Sequence, residues 1–544
     1  MLMWYPWYFK VDLMLGCAIL HHSMSNKSAQ NLTPVVPRRF RSVFFMLVSC
    51  FALWGLLNNM TDNLVPAFQQ IFTIPQEKAG LIQVAFYGAY AVLAIFASIL
   101  IEEFSYRVGV LIGLGIYIAG ALCYIPACAT QSFELYFIAI FVVASGCSLL
   151  ETTCNPYVLS LGPQATGVRR LNFAQAFNPV GSMMGIVLAQ QLILSNLNPA
   201  TAEERRAMPA EELDKIVNHE LFWVCAPYVG LCAVAFVIWL FFLRTRMEEN
   251  SDSSAETQAA APAAPAKGGG LRVAVAALFA VGPLTALYFL FPDMNKVHWI
   301  LYGMLGPVAY LLVMNSYRSM LFKLLSIPRY WVGVVAQFFY VGVQIAAWTW
   351  LNVYCQKELG VTKAEGAIYY TISIILFIGC RWVATYYMKK FNPAGMMSLF
   401  AVAAIACCAG VMYLPSTVLF SVGGLPFTPN VLCLVAMSGC MSLMFPTIYG
   451  IALGGLDAKV VKLGAAGLIM AILGGAIITP FMSEIIGSTD SALLALTAGF
   501  DGTWDSNLMT SSQAVRASFV VPAICFAVVL LYSLIFRKPL VTKD

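Results

Sequence analysis

Charge is what this chain has least of. Only 10% of its 544 residues are Asp, Glu, Lys or Arg, while 60% are apolar. Soluble globular proteins carry about 25% charged residues, so a soluble domain is excluded. Apolar stretches of about 20 residues recur along almost the whole chain, the length that crosses a bilayer as a helix. Strands that alternate polar and apolar residues, the mark of a membrane barrel, are missing. The chain reads as an all-α polytopic membrane protein.

Its catalytic vocabulary is equally thin. There is no Walker A run, so nothing supports ATP-driven transport by this chain. GxSxG, HExxH and CxxC are all absent. The fifteen Cys are scattered singly, apart from the adjacent pair Cys407-Cys408. They read as small apolar packing residues. The four His are His21, His22, His219 and His298, and none lies deep inside a clear apolar span. No metal and no cofactor is expected, and the chain is not read as an enzyme. A membrane enzyme would have only Asp62 with Glu151 as a catalytic pair. A receptor or scaffold would leave both buried acids without a reason.

What is present is an ordered layout. Residues 1–41 form an N-terminal segment, either cytoplasmic or, over 1–24, the product of an upstream start; an interfacial segment is the alternative there. Residues 42–246 hold six apolar spans. Residues 247–270, acidic and then rich in Ala, Pro and Gly, cannot build a core and read as a disordered cytoplasmic linker. An inserted pair of spans follows in 271–329, six more spans in 330–538, and a cytoplasmic tail in 539–544. That makes about 14 spans. Lys and Arg concentrate in alternate loops, which places both ends in the cytoplasm. An inserted pair returns the chain to the same side, so the second six spans keep the orientation of the first. Six plus six around a long linker is the layout of the major facilitator fold, whose halves rock about a midplane site.

Polar residues inside the spans are the candidate site. Glu151 sits in "ASGCSLLETTCNPYV" behind the apolar run "FIAIFVV". A carboxylate there is costly and marks a functional position by default. Asn155 follows at i+4 on the same face, and Pro156 can kink the helix. In "WGLLNNMTDNLVPAFQQIF", Asn59, Asp62, Asn63 and Pro66 share one helical face; the alternative is a solvated Asp62 capping the outer end. In "RRLNFAQAFNPVGS", Asn172, Gln175 and Asn178 form an amide stripe suited to hydroxyl groups, or simply to gluing helices together. In "WVGVVAQFFYVGVQIAAWTWL", Gln337, Tyr340, Gln344 and Trp348 recur at helical steps. Amides beside aromatic rings suit a sugar; a packed helix with an interfacial Trp is the plainer alternative. Arg381, near an inner helix end, reads as a structural residue that snorkels, and Glu484 as a solvated one.

These stretches, with "AGLIQVAFYGAY", "LETTCNPYVLSLGP", "LILSN", "FPTIYGIAL" and "GGAIITP", resemble the L-fucose:proton symporters (L-fucose permeases) of the major facilitator superfamily. The resemblance spans both halves. It implies secondary active import of L-fucose with protons across a bacterial inner membrane. A glucose, galactose or other hexose symporter is the alternative within the same family. It places Asp62 and Glu151 on the family's proton-coupling carboxylates, Gln175 and Asn178 on cavity amides of the fifth helix, and Asn59 on an amide of the first.

The expected mechanism follows. No His is deep in a span, so a carboxylate must carry the proton. A buried acid with no cation beside it is cheaper neutral than charged, and neither Asp62 nor Glu151 has an evident Lys or Arg partner. Glu151 is expected to take up the proton, with Asp62 as gate or relay. Asn59, Asn155, Gln175, Asn178, Gln337 and Gln344 are expected to bind hydroxyls and Trp348 to stack on the ring. The partners are a monosaccharide, protons and the lipid bilayer, with no nucleic acid and no second subunit. Sodium coupling stays open, because a carboxylate with amide oxygens can also hold a cation.

Overall fold

In a bilayer every backbone amide must be satisfied within its own segment, which leaves helices as the form available to a chain like this. The computed structural model describes residues 35–62, 64–79, 81–245, 269–290, 296–487 and 513–537. Expectations on residues 1–34, on the linker from 247 to 268, on most of the 488–515 loop and on the tail lie outside the described residues. So do Asn63 and the side chains of Asp62, His298 and Glu484.

Twelve described helices are long and apolar enough to cross a membrane. They are α1 (Arg38–Ile71), α2 (Leu81–Glu103), α3 (Tyr106–Ala129), α4 (Phe133–Ser160), α5 (Gln164–Asn196) and α6 (Ala210–Arg244), then α7 (Pro328–Leu359), α8 (Glu365–Tyr387), α9 (Pro393–Tyr413), α10 (Pro429–Leu453), α11 (Ala458–Met482) and α12 (Ala514–Ile535). The 23 residues of α2 span about 35 Å, enough for a hydrocarbon core of about 30 Å. Local signals start them where the chain turns back. Ser105 and Ser132 cap α3 and α4 by accepting from the amides of Val108 and Leu135, each at 3.3 Å. Thr362 and Glu365 form a reciprocal capping box ahead of α8, and Asn392 caps α9 by accepting from the Ala394 amide, with Pro393 as the first helical residue. Between α9 and α10 a two-stranded hairpin pairs Phe420–Val422 with Leu425–Phe427, Phe420 opposite Phe427. Its turn uses Gly423 and Gly424, both at positive φ.

Between the two sets of six lie the inserted helices Gly269–Leu290 and Lys296–Val313, whose apolar stretches among the described residues are Gly269–Leu284 and Tyr302–Val313. The pair packs against α2 and against itself. Glu103, at the end of α2, accepts from Arg272 Nη1 at 3.2 Å and from the Tyr317 hydroxyl at 2.8 Å. A further helix, Asn315–Leu325, leads from the pair into α7.

The two halves are built on the same crossing. α1 meets α5 with backbone against backbone: a Cβ on Gly181 would lie 2.0 Å from the Ala52 carbonyl oxygen. In the second half α7 meets α11 in the same way, where a Cβ on Gly474 would lie 2.1 Å from the carbonyl oxygen of Phe338. Small residues permit such approaches between helices in lipid. One end of the bundle, where α1, α3, α5 and α7 begin, carries Arg39, Arg107, Arg169, Arg329, Lys389 and Lys390; it is called the basic end below.

Candidate functional site

A cavity of about 460 Å³ lies between the halves. Its floor is set by Glu151 of α4, Gln175 of α5, Arg381 of α8 and Phe445 of α10. From there it extends away from the basic end, past Gln83, Gln190, Asn352 and Ala367.

Glu151 stands nine residues before the end of α4 at Ser160, about 14 Å of helix from the basic end. Its side chain is almost fully buried yet reaches the cavity wall. Beneath it, hydrogen bonds run between helices. Gln175 Nε2 donates to Asn155 Oδ1 at 2.8 Å, and Asn155 Nδ2 donates to the backbone oxygen of Glu151 at 2.9 Å. Asn178 Nδ2 donates to the Phe51 carbonyl at 3.4 Å, and Ser182 Oγ to that of Gly55 at 3.3 Å. The glycine crossing of α1 and α5 thus brings Asn58, Asn59, Asn178 and Ser182 onto one wall.

The second half presents Gln344 and Trp348 of α7 and Tyr370, Phe377 and Arg381 of α8. Trp348 is held by its own indole N–H, which donates to Ser438 Oγ at 3.1 Å, and by edge-on contact with Phe377 at 5.1 Å between ring centres. That fixes an aromatic plane without using its face.

Arg381 does not snorkel, which corrects the expectation from its place near an inner helix end. Instead Arg381 is 3% exposed and turned into the bundle. Its Nη1 donates to the Gln175 carbonyl at 2.8 Å, its Nε donates to the Ser442 carbonyl, and its guanidinium lies 4.5 Å over the Phe377 ring. It therefore bridges the halves and shares a cavity with Glu151. Distance from the helix end was a poor guide because the face it occupies looks at α5 and not at lipid.

Of the residues expected from the sequence, Glu151, Asn59, Gln175, Asn178, Gln344 and Trp348 line the cavity. Asn155 and Gln337 do not. Asn155 is fully buried one turn below Glu151 and orients Gln175. Gln337 is fully buried in α7, and its amide has no partner among the described residues. Tyr340 is likewise packed away, its hydroxyl donating to the Met441 carbonyl at 3.0 Å. Asn172 lies below the floor, donating to Thr447 Oγ1 across the halves at 3.3 Å. Asp62 closes the first segment of α1, three residues past Asn59, and its side chain lies outside the described residues. The sequence reading missed Asn58, Tyr87, Tyr90, Tyr370 and Phe445, all on the cavity wall. Asn58 carried a signal, being the first of two adjacent amides in an apolar span; the aromatics carried none.

The halves touch above and below. At the basic end Asn172 meets Thr447, α5 packs closely on α10 at Val168 and Gly450, and Lys462 of α11 stands 3.9 Å from Glu102 of α2. Above the cavity the Tyr370 hydroxyl donates to Asn59 Oδ1 at 3.4 Å. The basic end is sealed by packing from several helices, whereas among the described residues the Tyr370–Asn59 bond crosses the cavity on the other side.

Comparison with known proteins identifies the family and the fold. Residues 42–479 match the profile of the Major Facilitator Superfamily. The L-fucose-proton symporter of Haemophilus influenzae is 33% identical over 503 residues, which cover 92% of this chain and 97% of that protein. A glucose/galactose transporter of Brucella abortus is 25% identical over 494 residues, 90% of this chain and 93% of that protein. The crystal structure of the Escherichia coli fucose:proton symporter superposes with a TM-score of 0.67 at 27% identity, covering 92% of this chain and all of that one.

Proposed function

The chain belongs to the Major Facilitator Superfamily, and on that premise we propose that it imports L-fucose together with protons by alternating access. The observation that carries this reading is the wall of the cavity. Among the described residues one acid, Glu151, lines it, beside amides from α1, α5 and α7 and the ring of Trp348. Amides donate to and accept from sugar hydroxyls, and an indole face takes the C–H face of the ring. A volume of about 460 Å³ accommodates a monosaccharide.

The Lys and Arg bias supports a cytoplasmic basic end with both termini there, and we take the chain as a multi-pass monomer of the bacterial inner membrane. The described arrangement is then closed inward and accessible to the outer side. Glu151 takes its proton from that side, with Asp62, nearer the outer end of α1, as relay or gate. Sugar binds among Asn59, Gln175, Asn178, Gln344 and Trp348. Arg381 changes the charge balance. Its guanidinium stays protonated, so the cavity carries one positive charge when Glu151 is protonated and none when it is not. Sugar and proton enter together, the bond between Tyr370 and Asn59 tightens, and the Lys462–Glu102 and Asn172–Thr447 contacts open. Proton and sugar leave to the cytoplasm and the halves rock back.

The test is uptake of radiolabelled L-fucose by cells expressing the chain, beside D-glucose and D-galactose, with and without a protonophore. Accumulation of L-fucose that collapses with the protonophore is the expected result. Accumulation of glucose or galactose alone would keep the mechanism and move the substrate to the alternative suggested by the more distant relative.

A further inference from the structure

Two polar groups on the cavity wall are left over by this account. The Tyr90 hydroxyl of α2 is buried without a hydrogen bond of normal length among the described residues, and so is Asn58 Oδ1 of α1. Both residues line the cavity with Glu151. A buried hydroxyl and a buried amide oxygen without such bonds are each unfavourable, by roughly 1–3 kcal/mol, so such atoms mark a network that completes itself in another state. The groups that face one another are few. Tyr90 faces Cys147 of α4 and Tyr87 on its own helix, and its hydroxyl stands close to both the Glu151 carboxyl and the Asn58 amide, in contacts longer than a normal hydrogen bond. Glu151 is faced in addition by Cys154 of α4 and by Tyr449 of α10. Arg381 is the cation on the same wall.

We infer that Tyr90 is a positioning residue that reports the protonation of Glu151 to the Asn58 amide, and through it to the sugar site. The donor count forces the coupling. A phenol has one O–H to give, a carboxylate only accepts, and a protonated carboxyl can donate. When Glu151 is charged, the Tyr90 O–H is claimed by the carboxylate and Asn58 can only give its N–H to the phenol oxygen. When Glu151 is protonated, its O–H donates to the phenol oxygen, and the Tyr90 O–H is released to Asn58 Oδ1. The amide must then turn over, which exchanges an acceptor for a donor on the cavity wall. Protonation of one acid thereby changes which hydroxyl pattern the wall accepts, with no cation moving.

This rests on the symport reading for its consequence but not for its test. The purified full chain, reconstituted in vesicles, is titrated and its carboxyl C=O absorption followed by infrared difference spectroscopy. The Glu151 band is identified by its loss in Glu151→Gln. In Tyr90→Phe, which keeps the ring and removes the hydroxyl, that band moves to higher wavenumber because its hydrogen bond is gone. An unmoved band overturns the proposal. Sugar binding, read from the fluorescence of Trp54 and Trp348, gives the second measure. The ratio of L-fucose Kd at alkaline to acid pH narrows roughly fivefold in Tyr90→Phe and by the same factor in Asn58→Ala, and the double variant adds nothing further. A ratio equal to the parent's in both single variants also overturns it, even where affinity falls at every pH, since that pattern describes a merely structural hydroxyl. Asn58→Ala carries this test alone should Tyr90→Phe not fold. If the parent binds no L-fucose, the function assigned above fails while the infrared result still decides the Tyr90 proposal.

Discussion

The two halves share a scaffold and divide the chemistry. In each, the first and fifth helices cross through glycine with backbones in contact, at Gly181 against Ala52 and at Gly474 against Phe338. Yet the first half brings to the cavity an acid and a dense set of amides, Glu151, Gln175, Asn178, Asn58 and Asn59. The second brings the cation, Arg381, with Trp348, Phe377, Tyr370 and Phe445 and only two amides, Gln344 and Asn352, while aromatics such as Trp54, Tyr87 and Tyr90 stand on the first wall as well. The lesson is that close helix packing fixes where a site lies, while the residues standing on the packed helices decide what each wall does. In the proposed mechanism the proton belongs to the first wall and the second supplies the stacking plane; Arg381, bonded to the Gln175 and Ser442 carbonyls, is the strut that joins the walls.

Exchanging or deleting these contributions tests the division. The largest effect is expected from Glu151→Gln, which keeps shape and hydrogen bonding but cannot release a proton. Concentrative uptake falls to the passive level, while exchange of external for internal L-fucose in preloaded vesicles continues. Arg381→Met comes next. It leaves the Gln175 and Ser442 carbonyls unpaired in a buried place, and bonds to a charged group are worth about 1.5–3 kcal/mol each. Transport in uptake assays drops roughly 30-fold or more, and Arg381→Lys does not restore it, because an ammonium lacks the planar fork that reaches two carbonyls and covers Phe377.

The shared scaffold should respond alike in both halves. Gly181→Ala and Gly474→Ala each force a methyl group into a carbonyl about 2 Å away. Each lowers stability by about 1–3 kcal/mol, read as a reduced unfolding midpoint in detergent. A large loss at one and none at the other would break the equivalence. The smallest effect is expected at the inserted helices. Arg272 is half-exposed where it meets the buried Glu103, and a glutamine there keeps an oxygen for the Tyr317 hydroxyl, so the loss is about 1 kcal/mol. Glu103→Gln therefore shifts the midpoint slightly and leaves L-fucose uptake unchanged.

Much of this was legible in the sequence. An acid and amides recurring at helical spacing inside apolar spans announce an inward face, and that placed Glu151, Asn59, Gln175, Asn178, Gln344 and Trp348 at the cavity. Depth was the weaker part. Gln337 lies on the stripe of Gln344 but seven residues nearer the basic end, about 10 Å of helix, which carries it below the floor. Asn155 is one turn below Glu151 for the same reason. Arg381 failed in rotation and not in depth: a position near the helix end suggests water, and only the packing of α8 on α5 shows where the side chain turns. Aromatic wall residues such as Tyr90 were invisible because a tyrosine in an apolar span looks like any core residue.

The most direct test of the central claim is the proton itself. Vesicles containing the chain are given an inward gradient of L-fucose with no pH gradient imposed, and external pH is recorded. Proton-coupled entry makes the medium more alkaline as sugar enters, and Glu151→Gln abolishes the signal while sugar still equilibrates. Alkalinisation that persists undiminished in Glu151→Gln would contradict the assignment of the proton to this acid.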